Sequence, residues 1–167
     1  MAETELSPVW ITLSATEMEI AGFIGAKRRA ASITHKWTTT RDFTDSGIGN
    51  DVEAVAAEMA VAKALNIYPE WSPSDGSKAV PSFDLKWHAL IIDVKSTTYS
   101  NGNLLIPKLE PSRIYTLVRG SIPKYEIVGF IHSDAVKSTG QYTNQSYKSC
   151  WTVKANRLNP ISRIPIF

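Results

Sequence analysis

The spacing of apolar residues changes character part-way along the chain. Up to residue 66 they recur near the helical period; from about residue 79 they fall into short runs punctuated by Gly and Pro. "SATE" places Ser14 and Glu17 at capping-box spacing, so a first helix starts at Ser14, with Ile20, Phe23, Ile24 and Ala31 on its apolar side. "TTTRDFTDSGIGN" (38–50) reads as a loop, with Gly47, Gly49 and Asn50 as breakers. "DVEAVAAEMAVAKALN" (51–66) is the strongest helix, capped by Asn50 or Asp51 and ended by Asn66 and Pro69. Its apolar positions nearly encircle the axis, which predicts burial and leaves Glu58 as a carboxylate at the edge of a core.

"EWSPSDGSKAVP" (70–81) reads as loop. The runs that follow predict strands at Ser82–Lys86, Ala89–Thr98, Leu104–Pro107, Ile114–Arg119, Tyr125–His132 and Trp151–Lys154, with one helical turn at 133–138. Helices at about 14–66 followed by a meander of strands at about 79–167 predict one mixed α/β (α+β) domain spanning 1–167. The connection near Lys86–Ala89 is tight enough for a hairpin, which brings Asp84 and Asp93 onto adjacent strands. In "IIDVKST" (91–97) Ile92 and Val94 point to one face, and Asp93 and Lys95 to the other.

Composition adds boundaries. With 43% hydrophobic and 20% charged residues the chain suits a globular domain. No apolar run approaches the roughly 18 residues of a membrane span, and the N-terminus lacks the marks of a signal peptide, so a cytoplasmic protein is expected. A single cysteine, Cys150, excludes an internal disulfide and a cysteine-rich zinc site. The net charge of +2 conceals an acidic first part and a basic remainder: 8 Lys/Arg against 13 Asp/Glu up to residue 94, then 10 against 3. Acids followed by a basic half suit a metal-using enzyme acting on a polyanion.

Glu58, Asp84, Asp93 and Lys95 form the set that carries chemistry. Clustered carboxylates repel and call for a cation. Hard oxygen donors favour Mg²⁺ or Mn²⁺, and a metal-bound water with a nearby lysine suits phosphodiester hydrolysis. "PSFD" followed by "IIDVK" resembles the Pro-Asp…Asp/Glu-x-Lys signature of the PD-(D/E)XK nuclease superfamily, with Ser82 and Phe83 inserted after the proline. "AAEMAVAKALNIY" is similar to the Glu-bearing helix of phage-type members, and "IYTLVRGSIPKYEIVGFIHSDAV" to the strand pair that follows the signature; together they span about residues 47–137. The resemblance implies a restriction-endonuclease-like core, a central mixed sheet flanked by helices. It implies a Mg²⁺-dependent endodeoxyribonuclease with Asp84 as central metal ligand, Asp93 as second ligand, the Val94 carbonyl as third, Lys95 as catalytic lysine and Glu58 on the metal directly or through water.

Lys27, Arg28, Arg29, Lys86 and Ser96 are candidates for contacts with DNA phosphates. Trp87 suits either base stacking or packing, and His88 lies in the hairpin turn. The polar stretch "QYTNQSYKSCW" (141–151) reads as a surface loop or a nucleic-acid contact. Two other functions share the pattern: a non-catalytic DNA-binding or assembly module, and a junction-resolving nuclease acting as a homodimer.

Overall fold

A computed structural model describes residues 8–34, 45–69, 84–145 and 148–164. The loop expected at 70–81, residues 38–44 of the other expected loop, and Pro81, Ser82 and Phe83 of the signature lie outside the described residues. The chain forms β1 (Val9–Thr12), α1 (Ala15–Thr34), α2 (Asp45–Leu65), β2 (Leu85–Trp87), β3 (Leu90–Thr97), β4 (Leu104–Ile106), β5 (Arg113–Ser121), β6 (Lys124–His132), α3 (Ser133–Thr139), β7 (Gln141–Gln145) and β8 (Lys148–Val153). Five strands in the order β1-β6-β5-β3-β2 make the central sheet, and β4-β8-β7 make a smaller one. The central sheet is mixed: β3 and β5 run parallel, the other pairs antiparallel.

Two buried clusters occupy the two faces of that sheet. On one, Ala21 and Ile24 of α1 and Val55, Ala56 and Met59 of α2 pack with Leu85, Ile92, Ile114, Val118 and Ile127. On the other, Tyr115, Leu117 and Ile131 pack with Leu104, Ile106, Val136 and Val153. β5 feeds both, which is why Arg113–Val118 is buried without interruption rather than alternating.

The helices follow the sequence logic. The Ser14 N–H donates to Glu17 (2.6 Å) and the Glu17 N–H to Ser14 Oγ (3.2 Å), closing the capping box. Lys63 of α2 donates to Glu17 (2.9 Å) and to the Thr12 carbonyl (3.0 Å), tying α2 to the start of α1. The helices also touch at Gly25, where a Cβ would lie 2.8 Å from Val52 Cα, so only glycine permits the approach.

Several expectations are corrected. α2 begins at Asp45, not near residue 50, and runs through Gly49; a helix interior tolerates glycine at a cost of about 1 kcal/mol once packing supports it. The strands are not a plain meander, because β4 leaves for the second sheet and β5 returns parallel to β3. β1 was not expected from its four residues, and 141–145 is a strand rather than a loop: its ladder with β8 supplies the order, and the Tyr142 and Trp151 rings pack at a tilt with centroids 5.2 Å apart.

Tyr125, 1% exposed, donates its hydroxyl to Glu53 (2.7 Å), which also accepts from the Ile122 N–H at 3.3 Å. This joins α2 to the β5–β6 turn. Tyr125→Phe is expected to destabilise the protein by about 1–3 kcal/mol, because Glu53 loses a buried partner. Urea denaturation measures this, and a change under about 0.5 kcal/mol would show the bond to be dispensable.

Candidate functional site

The site lies where β2 and β3 separate. Their hairpin turns at His88, whose φ of 52° is left-handed, and pairs Leu85 with Ile92. Continued by one residue, that register sets Asp84 opposite Asp93. β2 begins at Leu85, so among the described residues no strand pairs with β3 beyond Ile92 on that side, and the Val94 N–H donates to Asp84 Oδ2 at 2.7 Å. In an extended strand a residue's N–H and C=O face the same side, so the Val94 carbonyl faces the edge that Asp84 occupies. Ile92 and Val94 pack toward the helices, while Asp93 and Lys95 share the opposite face, level with Tyr115 and Leu117 of β5.

Glu58 reaches this edge from α2. It is 3% exposed, and Arg28 of α1 grips both its oxygens, at 2.6 and 2.8 Å. Burial pushes Glu58 up to about 7; the Arg28 bond opposes this, the charge of Asp84 adds to it, and Lys95 lowers it. Asp93 is also raised, first by burial and then by Asp84, with Lys95 and Arg113 opposing. Asp84 is thus the electrostatic neighbour common to Glu58 and Asp93, and Lys95 acts on both. Lys95 is half-buried, and no side chain among the described residues pairs with its ammonium within salt-bridge distance.

Asp84 links the residues singled out by the sequence: its Oδ2 bonds the backbone of Val94, between Asp93 and Lys95, and its charge acts on Glu58 and Asp93, while partners the sequence did not announce stand beside them. Arg113 Nη1 holds Asp93 Oδ1 at 3.0 Å and its Nη2 pairs with Glu110. Glu110 and Arg113 stand three apart in "EPSR", a spacing that could have been noticed; the contact with Asp93 depends on a parallel register that no local pattern carries.

The candidate phosphate contacts fare differently. Arg28 is committed to Glu58 and Arg29 to Asp51 (2.8 Å), so both turn toward α2. Lys27 lies 5.5 Å from the Phe23 ring. Lys86 and Ser96 are exposed near the site, Ser96 beside a shallow cleft with Asn50, Glu53, Thr97 and Gly120. Trp87 packs on the helix-side core, and His88 is exposed in its turn.

Among the described residues no three His, Cys, Asp or Glu side chains form a ready metal-holding group. Both oxygens of Glu58 are taken by Arg28. Asp84 and Asp93 are different: each has one oxygen bonded to the protein and one without a partner among the described residues. Mg²⁺ is commonly bound by one or two carboxylates with water and substrate oxygens completing its shell. Two such oxygens with the Val94 carbonyl fit that need; Glu58, as held here, fits a place outside the direct ligand set. Comparison of the chain with protein-family models, curated proteins and solved structures gives no match. Among the described residues no helix is long and apolar enough to cross a membrane.

Proposed function

We propose that this protein is a metal-dependent DNA endonuclease of restriction-endonuclease-like type, using Mg²⁺ or Mn²⁺. The observation that carries the reading is the position of Asp84: it accepts the Val94 N–H beside Asp93, at an edge of β3 that no other described strand pairs with, and its charge adds to burial in raising Asp93 and Glu58. Excess negative charge with spare oxygens is what a divalent cation relieves. When bound, such an ion lowers the pKa of a water and offsets charge on the phosphate. The chain's own residues do the rest. Asp84 and Asp93 present one oxygen each, and the Val94 carbonyl lies on the same edge. Lys95, without an ion-pair partner among the described residues, would hold the attacking water or a phosphate oxygen. Glu58, pushed up to about 7 by burial and gripped by Arg28, stands behind them.

DNA as substrate is supported by the basic remainder of the chain. Lys154 and Arg157 line a cleft with Asn103, Ser138, Gln141 and Thr152, and no carboxylate among the described residues forms an ion pair with either cation. Homodimerisation, a cytoplasmic location and a phage origin belong to the same proposal.

The test is a plasmid-nicking assay. Wild type is expected to nick DNA with Mg²⁺ or Mn²⁺ and to stop in EDTA. Lys95→Ala is expected to lose about 10²–10³ in rate, the usual cost of removing one charge-stabilising donor. Undiminished cutting in EDTA or by Lys95→Ala would sink the assignment. Salt-sensitive DNA binding without any cutting would favour the non-catalytic module, a reading that the ion-paired state of Glu58 keeps in view.

A further inference from the structure

Arg113 is engaged by carboxylates on two sides, close to Asp93. It opens β5, its side chain is only 10% exposed, and it pairs with Asp93 on one side and Glu110 on the other. Its backbone N–H donates to Ser133 Oγ at 3.3 Å. Glu110 is fixed in turn. Lys108 pairs with it at 2.7 Å, and its N–H donates to the Tyr115 hydroxyl at 2.8 Å. That hydroxyl donates to the Lys108 carbonyl (3.3 Å), and Tyr115 is the register partner of Asp93. The connection from β4 to β5 is therefore fastened to the strand beside the acid.

The consequence falls on Asp93. Asp84 repels it, so an unrestrained Asp93 side chain would rotate away from Asp84. The bond from Arg113 to Oδ1 prevents this and leaves Oδ2 without a protein partner among the described residues. Asp84 is anchored in the complementary way, through Oδ2 to the Val94 N–H. Two mutually repelling carboxylates are each held by one oxygen.

We propose that Arg113 is the positioning residue of the metal site: it presents Asp93 to a divalent cation, and Glu110 fixes the guanidinium that does so. The proposal rests on the reading of Asp84 and Asp93 as metal ligands. Partners that orient a ligand typically contribute 10–100-fold to metal affinity. Lysine cannot reproduce the two-pronged contact, because its ammonium is a point charge and the guanidinium a planar fork.

The experiment is Mn²⁺ calorimetry on the DNA-free protein, alongside the Mn²⁺ dependence of DNA cleavage, for wild type, Arg113→Gln, Arg113→Lys and Glu110→Gln. Arg113→Gln is expected to weaken Mn²⁺ binding about 10–100-fold, with Arg113→Lys between it and wild type and Glu110→Gln shifted in the same direction. At saturating Mn²⁺ the cleavage rate should return to within a few-fold of wild type. Glu110 is partly exposed, so its variant keeps the test open should the Arg113 variants fold poorly. A purely structural role would lower Tm and leave the metal dissociation constant unchanged, which overturns the proposal. Wild type that binds no Mn²⁺ and cuts no DNA would overturn the nuclease reading as well. Wild type that binds and cuts, with variants of equal affinity, would overturn the role of Arg113 alone. Metal binding weakened in the variants without DNA cleavage by wild type would support the positioning role and remove the nuclease reading.

Discussion

Asp84→Asn is expected to reduce Mg²⁺-dependent DNA cleavage by about 10³-fold while leaving the fold intact. A metal ligand and its ion supply several kcal/mol of charge stabilisation, and each 1.36 kcal/mol is a factor of ten in rate. The amide keeps an oxygen for the Val94 N–H, so the anchoring bond survives. Burial is the main reason that Glu58 and Asp93 are raised, and the variant removes the Asp84 charge that adds to it, so both acids should titrate at lower pH. The two readouts are single-turnover cleavage at saturating Mg²⁺ and NMR titration of the Glu58 carboxyl carbon. Cleavage within ten-fold of wild type would remove Asp84 from the centre of the site.

Arg28→Met is expected to produce the largest loss of stability, about 3–5 kcal/mol, because it strands a buried carboxylate. The loss should depend on pH in a defined direction. Glu58 is raised from its ordinary 4.5 to about 7, so the folded protein holds its proton more tightly than the unfolded chain. Stability from this group is full below about 4.5 and declines as pH rises through about 7. Removing Arg28 raises Glu58 further, so the gap between variant and wild type should widen from pH 5 to pH 9. Adding Glu58→Gln should restore much of the stability at high pH. Chemical denaturation across that range decides it; a deficit that is constant with pH would mean that Arg28 contributes packing rather than charge compensation.

How much of this was legible in the sequence depends on the range of the interaction. Alternation in β3 separates Ile92 and Val94 from Asp93 and Lys95, and it is a local property. The burial of Glu58 follows from apolar neighbours one turn away on either side, also local. The opposition of Asp84 and Asp93 needs only a tight turn between short strands, and the hairpin forms as expected. Arg113 is a different case. Its contact with Asp93 requires β5 to lie parallel to β3 after an excursion through β4, a placement set by two cores at once. The basic run Lys27–Arg29 illustrates the same limit: composition reports positive charge, while the direction in which Arg28 points depends on the packing of α1 against α2. The polar strand β7 owes its order to a partner ladder rather than to its own residues.

The glycine at the α1–α2 contact has a consequence beyond packing. Arg28 follows Gly25 by three residues on the same helix, less than one turn away. With no side chain at Gly25, the backbone of Val52 can approach, and Arg28 and Glu58 pair across the same two helices. A methyl group would act as a shim, and the displacement would be felt at the carboxylate as altered proton affinity. Helix spacing therefore calibrates the charge of the Arg28–Glu58 pair, through an atom that is not there.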